Sequence, residues 1–87
     1  MKTLNTLFKP YPIIVKSRYF QRALSIQNKL SNGEDYHHIG GKRLVCAKGL
    51  IRFKLGGYRL IFKRDQLGYL PEFLLQRKNL DRFLKRR

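Results

Sequence analysis

The stretch "GLIRFKLGGYRLIF", residues 49–62, is the part of the chain with the clearest structural meaning. Two runs rich in aliphatic and aromatic residues flank Gly56-Gly57, and such runs favour β-strands. A glycine pair supplies the positive φ angles that two-residue turns of types I′ and II′ require. The stretch therefore predicts a β-hairpin with strands at 50–55 and 58–63 and leaves the turn type open.

The glycine pair also fixes the register, because counting outward from it pairs Leu55 with Tyr58 and Lys54 with Arg59. Side chains in a strand alternate between the two faces of a sheet. One face is wholly apolar and is predicted to face the core; it holds Ile51, Phe53, Leu55, Tyr58, Leu60 and Phe62. The other face is mainly basic; it holds Arg52, Lys54, Arg59, Ile61 and Lys63.

The basic face needs an explanation, since Lys54 opposite Arg59 places like charges together and destabilises the strand pair. One explanation is a solvated outer face in a basic protein. The explanation that we favour is an anion site, in which a phosphate lies between the cations. The nearest acid is Asp65, which follows the second predicted strand, so the flanking sequence offers no carboxylate to pair with them.

The whole chain is strongly basic. Its 87 residues include 20 Lys and Arg but only five Asp and Glu, which gives a net charge of +15. Such a charge attracts polyanions, and nucleic acid is a better match than an acidic protein partner, although the two are compatible. The length predicts one domain, residues 1–87.

The rest of the chain divides into helix and strand candidates. The β-branched run at 11–16 predicts a short strand, and apolar residues at helical spacing then predict a helix from an N-cap at Ser17 to the Asn-Gly pair at 32–33. The polar, glycine-rich residues 31–42 predict a loop, with room for a short helical turn at 34–38. Further strands are predicted at 43–47 and 68–76, and the end of the chain at 78–87 is predicted to be a basic helix or a frayed tail.

Few residues suggest other chemistry. Cys46 is the single cysteine, so no intramolecular disulfide can form, and we predict a small buried side chain. His37 and His38 lie in the polar loop, where plain surface roles are favoured over an RNA-facing role. The spacing of His, Cys and acids matches no metal site, and we expect no metal and no cofactor. No apolar run reaches the ~20 residues of a membrane span, and the N-terminus lacks an apolar signal segment, so a cytoplasmic protein is expected.

The hairpin and the residues around it resemble the RelE/ParE toxin superfamily. Members commonly carry a hairpin of the form G-x-x-R-x-[KR]-x-G-x-Y-R-[LIV]-x-[YF], followed by a strand that ends in a basic turn. The resemblance covers roughly residues 11–83. The matching residues are Arg52, Lys54, Tyr58 and Arg59 in the hairpin and Gln76, Arg77 and Lys78 in the turn.

The resemblance implies an α+β fold, in which a small, twisted, mostly antiparallel sheet packs against one or two N-terminal helices. RelE-like members are toxins of type II toxin–antitoxin pairs that cut mRNA in the ribosomal A site and so inhibit translation. An acidic antitoxin, encoded beside the toxin, neutralises them. For this chain the resemblance implies mRNA, the ribosome and an antitoxin as partners in a bacterial or archaeal cytoplasm, and it is compatible with a heterotetramer of toxin and antitoxin.

Carried over residue by residue, the resemblance implies a metal-independent nuclease site made of cations in place of histidine pairs. The cations would ease deprotonation of the ribose 2′-OH, stabilise charge on the phosphate and protonate the leaving 5′-oxygen. The implied catalytic residues are Arg52, Lys54, Arg59 and Arg77. The residues expected to bind RNA around them are Lys42, Arg43, Lys63, Lys78 and Phe83.

A second interpretation stays open. Family nucleases often place a Tyr or His near the C-terminus, where this chain has Phe83, which can stack on a base but cannot transfer a proton. The ParE-like branch shares the fold, lacks the nuclease residues and poisons DNA gyrase. The chain would then be a non-catalytic gyrase inhibitor, or a general RNA- or ribosome-binding module.

Overall fold

The computed structural model of the chain describes residues 3–45 and 47–85. Within these residues the helices and strands form an α+β fold, which confirms the predicted fold class. The strands build one antiparallel sheet in the order β1-β2-β3-β4. In chain order the elements are α1 (Leu4–Phe8), α2 (Ile13–Ser31), β1 (Lys42–Arg43), β2 (Leu50–Leu55), β3 (Tyr58–Asp65), β4 (Gly68–Gln76) and α3 (Arg77–Lys85).

The predicted hairpin is confirmed, including its register. Leu55 pairs with Tyr58 and Lys54 with Arg59, as counting from the glycine pair requires. Gly56 has a φ of 56° whereas Gly57 does not have a positive φ, which is the sign pattern of a type II′ turn. β2 and β4 have the predicted bounds, and β3 extends two residues beyond its predicted end.

The extension of β3 brings Asp65 into the strand, and its carboxylate closes the next turn. One carboxylate oxygen of Asp65 accepts hydrogen bonds from the backbone N–H groups of Leu67 and Gly68, at 2.8 and 3.1 Å. The carboxylate thus satisfies backbone donors of the β3–β4 turn, at the opposite end of β3 from Tyr58 and Arg59.

The predicted strand at 11–16 is wrong, because α2 already begins at Ile13 with Pro12 as its N-cap. Ser17 is therefore an interior residue, and its hydroxyl donates to the Ile13 carbonyl at 2.9 Å instead of capping the helix. The buried positions of α2 recur at helical spacing from Val15 onward, so packing against the sheet outweighs the β preference of the Ile-Ile-Val run. The buried residues of α2 are Val15, Ala23, Ile26 and Leu30.

Three further elements differ from the predictions. α1 was not predicted; it is one short helix that buries Leu4 and Phe8, and the Thr3 hydroxyl caps it. β1 contains only Lys42–Arg43 instead of 43–47, because the chain turns after Leu44, whose carbonyl accepts the Ala47 N–H. Residues 36–40 form hydrogen-bonded turns and no helical turn. The prediction for Cys46 lies outside the described residues.

Arg77–Lys85 form a helix, so within the described residues the end of the chain is the predicted basic helix and not the frayed tail. This helix packs on part of the sheet face opposite α1 and α2, so apolar side chains are buried on both sides of the sheet. Ile61, on the predicted basic face, is 0% exposed. The apolar cluster under α3 consists of Ala47, Leu50, Ile61, Leu44, Phe73, Leu80, Phe83 and Leu84.

The main core lies between the other face of the sheet and the two N-terminal helices. Leu74 of β4 belongs to this core, and the hairpin residues in it are those predicted from alternation, with Tyr58 half-buried at the margin. The buried ones are Ile51, Phe53, Leu55, Leu60 and Phe62. None of the helices in the described ranges is long and apolar enough to span a membrane.

Candidate anion-binding site

The sheet register gathers basic side chains on the face that α3 partly covers. Lys54 is the direct partner of Arg59, and Arg52 is the direct partner of Lys42. Direct partners share a face, as do residues two apart in one strand, so these four cations lie on one face of the sheet. We call Arg52, Lys54 and Arg59, together with Arg77 at the start of α3, the cation cluster.

Arg59 is the fixed member of the cation cluster. Its side chain is only 6% exposed, and one terminal nitrogen donates to the carbonyls of Gly56 and Tyr58, at 2.8 Å each. Burial lowers the pKa of Arg59, and the positive charges of Arg52 and Arg77 lower it further. The two neighbouring guanidinium groups are thus close enough to act on Arg59, and an anion bound among the three would relieve their mutual repulsion.

Arg77 reaches the cation cluster because the hairpin turn holds the beginning of α3. The backbone N–H of Arg77 donates to the Gly57 carbonyl at 2.8 Å, which satisfies one of the free donors of the helix end. An open groove of about 650 Å³ lies at this junction. Its lining residues are Gly57, Tyr58, Gln76, Arg77, Lys78 and Asp81.

The members of the cation cluster differ in exposure. Arg52 is half-buried, whereas Lys54 and Arg77 are exposed to solvent. Lys54 and Arg77 are therefore open to a ligand from solvent, whereas the guanidinium of Arg59 is buried. Such an arrangement of one fixed and several accessible cations suits a phosphate group.

Comparison with protein families identifies the chain at this point. A family model described as "ParE-like toxin domain" matches residues 17–79. The chain belongs to this family of toxin domains. The match begins in α2, covers the sheet and the whole cation cluster, and ends in the first turn of α3. It supports the resemblance to the RelE/ParE superfamily, identifies a toxin of a toxin–antitoxin system and implies an antitoxin partner. No curated protein and no solved structure matches the chain.

The residues that were expected to bind RNA occupy different parts of the toxin domain. Lys78 lies beside Arg77 in the groove at the hairpin, and Lys42 extends the cation face across the sheet as the partner of Arg52. Arg43 pairs with Ile51 and therefore belongs to the opposite face. Lys63 pairs with Leu50, four residues along β3 from Arg59, which corresponds to about 13 Å.

Phe83 is the expected base-stacking residue, and in the toxin domain its half-buried ring belongs to α3 and packs in the apolar cluster beneath this helix. The centroid of the Phe83 ring lies 4.7 Å from that of Phe73, at an interplanar angle of 60°. Both rings belong to the apolar cluster that covers Ile61. Stacking on a base would require Phe83 to keep this contact and present only its exposed edge, or to leave the cluster.

Three tyrosines support the hairpin turn, and sequence reasoning missed their joint role. The Tyr58 ring lies 5.4 Å from Tyr11 and 5.6 Å from Tyr19. The Tyr11 hydroxyl donates to the Leu74 carbonyl at 2.5 Å, and burial, followed by the neighbouring Tyr58, raises the pKa of Tyr11. Tyr11 and Tyr58 are far apart in the chain, and no local spacing links them, so only the folded chain reveals the cluster.

The two histidines lie outside the cation cluster. Both are exposed, in the turns between α2 and β1. The backbone N–H of His37 donates to the Asp35 carboxylate at 3.0 Å, and the His37 ring lies 4.2 Å from the Tyr36 ring. Within residues 3–45 and 47–85 no group of three or more His, Cys, Asp or Glu side chains could hold a metal ion.

Proposed function

We propose that this toxin is a metal-independent endoribonuclease that cuts mRNA on the ribosome, and that the cation cluster binds the scissile phosphate. The observation that carries the proposal is the arrangement of Arg52, Lys54, Arg59 and Arg77 around one end of the sheet. Arg59 supports it most, because a buried guanidinium fixed by two carbonyls keeps its charge in place without reorganisation.

The proposed chemistry is attack of the ribose 2′-oxygen on the adjacent phosphorus. The P–O5′ bond breaks, and the products are a 2′,3′-cyclic phosphate and a 5′-hydroxyl end. Arg59 and Arg77 would stabilise the charge that builds on the non-bridging oxygens. Lys54, which is exposed on the neighbouring strand, would donate a proton to the leaving 5′-oxygen, and the 2′-OH proton would pass to solvent.

The positive charge of the chain supports binding to the ribosome, whose surface is rich in RNA. A net charge of +15 provides long-range attraction to an RNA surface, and such binding weakens steeply as salt increases. Lys42 and Lys78, which flank the cation cluster, would bind the RNA backbone on either side of the cleaved bond. An acidic antitoxin would neutralise the same charge.

The test is cleavage of a defined mRNA by the purified toxin, with and without ribosomes, with new ends mapped by primer extension. Lys54→Ala and Arg77→Ala remove exposed side chains, so the variants should fold. We expect each to reduce the cleavage rate about 10²-fold or more, while the control Lys9→Ala, on an exposed residue of the α1 end, leaves the rate unchanged. Equal cleavage by the unmodified toxin and the three variants, or no cleavage by the unmodified toxin, would contradict the proposal.

A second candidate is a non-catalytic toxin that inhibits DNA gyrase. Phe83 favours it. Family nucleases often have a proton-transferring residue at this place, whereas the Phe83 ring cannot transfer a proton and packs against Phe73. The engagement of Arg59 with two backbone carbonyls also suits a purely structural role. A gyrase supercoiling assay separates the two candidates: inhibition without any RNA cleavage supports this one, and unchanged supercoiling excludes it.

A further inference from the structure

A groove separate from the one at the hairpin turn lies at the free edge of the sheet. Its volume is about 450 Å³, and its described lining residues are Tyr36, His37, Lys42, Arg43 and Val45. β1, which contributes Lys42 and Arg43, is the outermost strand and pairs on one side with β2. Successive residues of a strand point to opposite faces, so a groove that both of them line lies at the edge of β1. We call it the edge groove.

Two aromatic rings form one wall of the edge groove. The centroids of the Tyr36 and His37 rings lie 4.2 Å apart, and the rings are tilted by 34°, so they lie partly face to face. Tyr36 is half-buried and packs against the main core, whereas His37 is exposed. The His37 ring therefore ends the stack, with one face toward Tyr36 and the other open to solvent.

The backbone holds this pair of rings in place. The Tyr36 carbonyl accepts the Gly41 N–H at 2.7 Å, and the His37 N–H donates to the Asp35 carboxylate at 3.0 Å. Gly41 is buried, and a Cβ at this position would lie 2.7 Å from the Phe53 ring, so the turn is packed tightly onto the core. A ligand that binds a wall already in position loses less free energy to ordering the protein.

The other walls of the edge groove are basic and apolar. Lys42 and Arg43 are exposed, and Val45 is fully exposed. Among the described residues that line the groove there is no Asp or Glu. Lys42 is also the direct partner of Arg52, so the edge groove continues the basic face that carries the cation cluster.

We infer that the edge groove binds one base and the adjoining phosphates of a single-stranded RNA, on the same strand whose scissile phosphate lies at the cation cluster. The base would stack on the open face of the His37 ring, with the Val45 side chain beside it. Lys42 and Arg43 would bind the phosphates on either side of that base. The inference rests on the proposed function for its RNA substrate, and it adds a binding subsite outside the site of cleavage.

The spacing between the two sites suits a short length of single strand. Lys42 lies two strands away from Arg59 in the sheet, and its partner Arg52 is two residues from Lys54 along β2. Strands lie about 4.8 Å apart and rise about 3.4 Å per residue, so the backbones of Lys42 and Arg59 are about 12 Å apart. A stacked strand advances about 3.4 Å per nucleotide, and the distance therefore corresponds to about three or four nucleotides.

An acidic protein segment would match the cations of the edge groove but would make no use of its ring. A carboxylate pairs with Lys or Arg through its charge, whereas every nucleobase has a π-face that stacks on an aromatic side chain. The exposed His37 ring, held against Tyr36 beside two cations, is the combination that single-stranded nucleic acid requires. RNA is therefore the favoured ligand, and an acidic peptide serves as a probe in the test.

The test uses a fluorescent hexamer of adenylate with 2′-O-methyl groups, which cannot be cut because the 2′-oxygen is blocked. Its binding to the full-length toxin is measured by fluorescence anisotropy. His37→Leu keeps an apolar side chain over Tyr36 but removes the ring face, and His38→Leu makes the same change at the neighbouring exposed histidine. We expect His37→Leu to weaken binding about tenfold and His38→Leu to leave it unchanged.

Two further comparisons separate stacking from charge. His37→Phe restores a ring face and should bind the hexamer as the unmodified toxin does, and a probe of equal length without bases should bind equally to the unmodified toxin and to His37→Leu. Lys42→Ala should weaken binding of both probes and lower the slope of log affinity against log salt by about 0.7. Lys9→Ala, on an exposed residue at the end of α1, should change that slope less.

Equal binding of the hexamer by His37→Leu and His38→Leu, or a salt slope that Lys42→Ala leaves unchanged, would overturn the inference. An equal loss for the probe without bases, or for a glutamate peptide of the same charge, would also overturn it, since neither can stack on the ring. No probe can be cut and no ribosome is present, so a lack of nuclease activity would leave these binding differences in place. Conversely, a toxin that cuts mRNA but whose His37→Leu variant binds the hexamer normally would refute this inference and retain the proposed function.

Discussion

Gly56→Ala is the substitution for which the structure makes the sharpest prediction. Gly56 is the first residue of the hairpin turn and has a φ of 56°, a backbone conformation that residues with a Cβ rarely adopt. A Cβ at this position would also overlap the Tyr19 hydroxyl and lie 2.8 Å from the Tyr19 Cζ. The neighbouring Gly57 has neither constraint, because a Cβ there meets nothing within 4 Å.

The expected cost has two parts. A non-glycine residue in a sparsely populated backbone region costs about 1–3 kcal/mol, and forcing a side chain into occupied space costs about 1–3 kcal/mol more. Gly56→Ala should therefore lower the free energy of unfolding by about 2–6 kcal/mol. Gly57→Ala should change it by less than about 0.5 kcal/mol, as is usual for an unconstrained surface position.

A double-mutant cycle separates the two parts. Tyr19→Ala removes the ring that Gly56→Ala would meet, so in this background only the backbone strain remains, and the coupling between the two changes should be about 1–3 kcal/mol. The assay is urea unfolding followed by circular dichroism on the four proteins of the cycle and on Gly57→Ala. The slope against urea should stay constant, because the surface exposed on unfolding is nearly unchanged.

The reasoning is refuted if Gly56→Ala and Gly57→Ala are equally stable, or if the coupling with Tyr19→Ala is zero. The Gly56 carbonyl also accepts a hydrogen bond from Arg59. A turn distorted by Gly56→Ala should therefore displace Arg59, and cleavage or phosphate binding should fall even at temperatures where the variant is fully folded.

Three further predictions follow from individual contacts. The pKa of Tyr11 is raised from 10.0 by burial and by Tyr58, so the stability that its protonated hydroxyl contributes is complete below about pH 10 and is lost as the pH rises through the pKa of the folded state. Tyr11→Phe should lower the free energy of unfolding by about 1 kcal/mol at pH 7, and the difference between this variant and the unmodified protein in urea unfolding should shrink in strong alkali. Ile61→Ala, at a fully buried site under α3, should cost about 2–5 kcal/mol, whereas Leu67→Ala, 99% exposed, should stay within about 0.5 kcal/mol in the same assay. Arg59→Lys keeps the charge but loses the planar fork, so the free energy of unfolding should fall by about 1–3 kcal/mol, and a thermal midpoint equal to that of the unmodified protein would contradict this.

Local pattern was sufficient for the hairpin and for the pairing of its cations. Because side chains alternate strictly and the glycine pair marks the turn, counting residues gave the partners of Lys54 and Leu55 correctly. The same local logic failed at the start of α2. Ile13 and Ile14 are β-branched and remain exposed in the first turn of a helix, since the burial of Val15 and later residues against the sheet decides the conformation.

The candidate site was predictable in part. That Lys54 faces Arg59, and that Arg52 lies on the same face, follows from the register alone. The register does not predict that Arg59 is buried while Lys54 is exposed, because both side chains lie on the same face of the hairpin. Arg59 lies on the inner strand β3, between Lys54 and Leu75, and its guanidinium bonds two turn carbonyls, whereas Lys54 lies on β2 beyond the residues that β1 pairs with.

By itself, therefore, the sequence determined the hairpin, its two faces and the charge that any partner must match. These properties depend on neighbours within a few residues and on composition. Only the tertiary structure decided which cation is buried, that Phe83 packs inward on Phe73, and that Tyr11 and Tyr19 support the turn through Tyr58. These properties arise where segments distant in the chain meet, and the free energy of their packing has no local signature in the sequence.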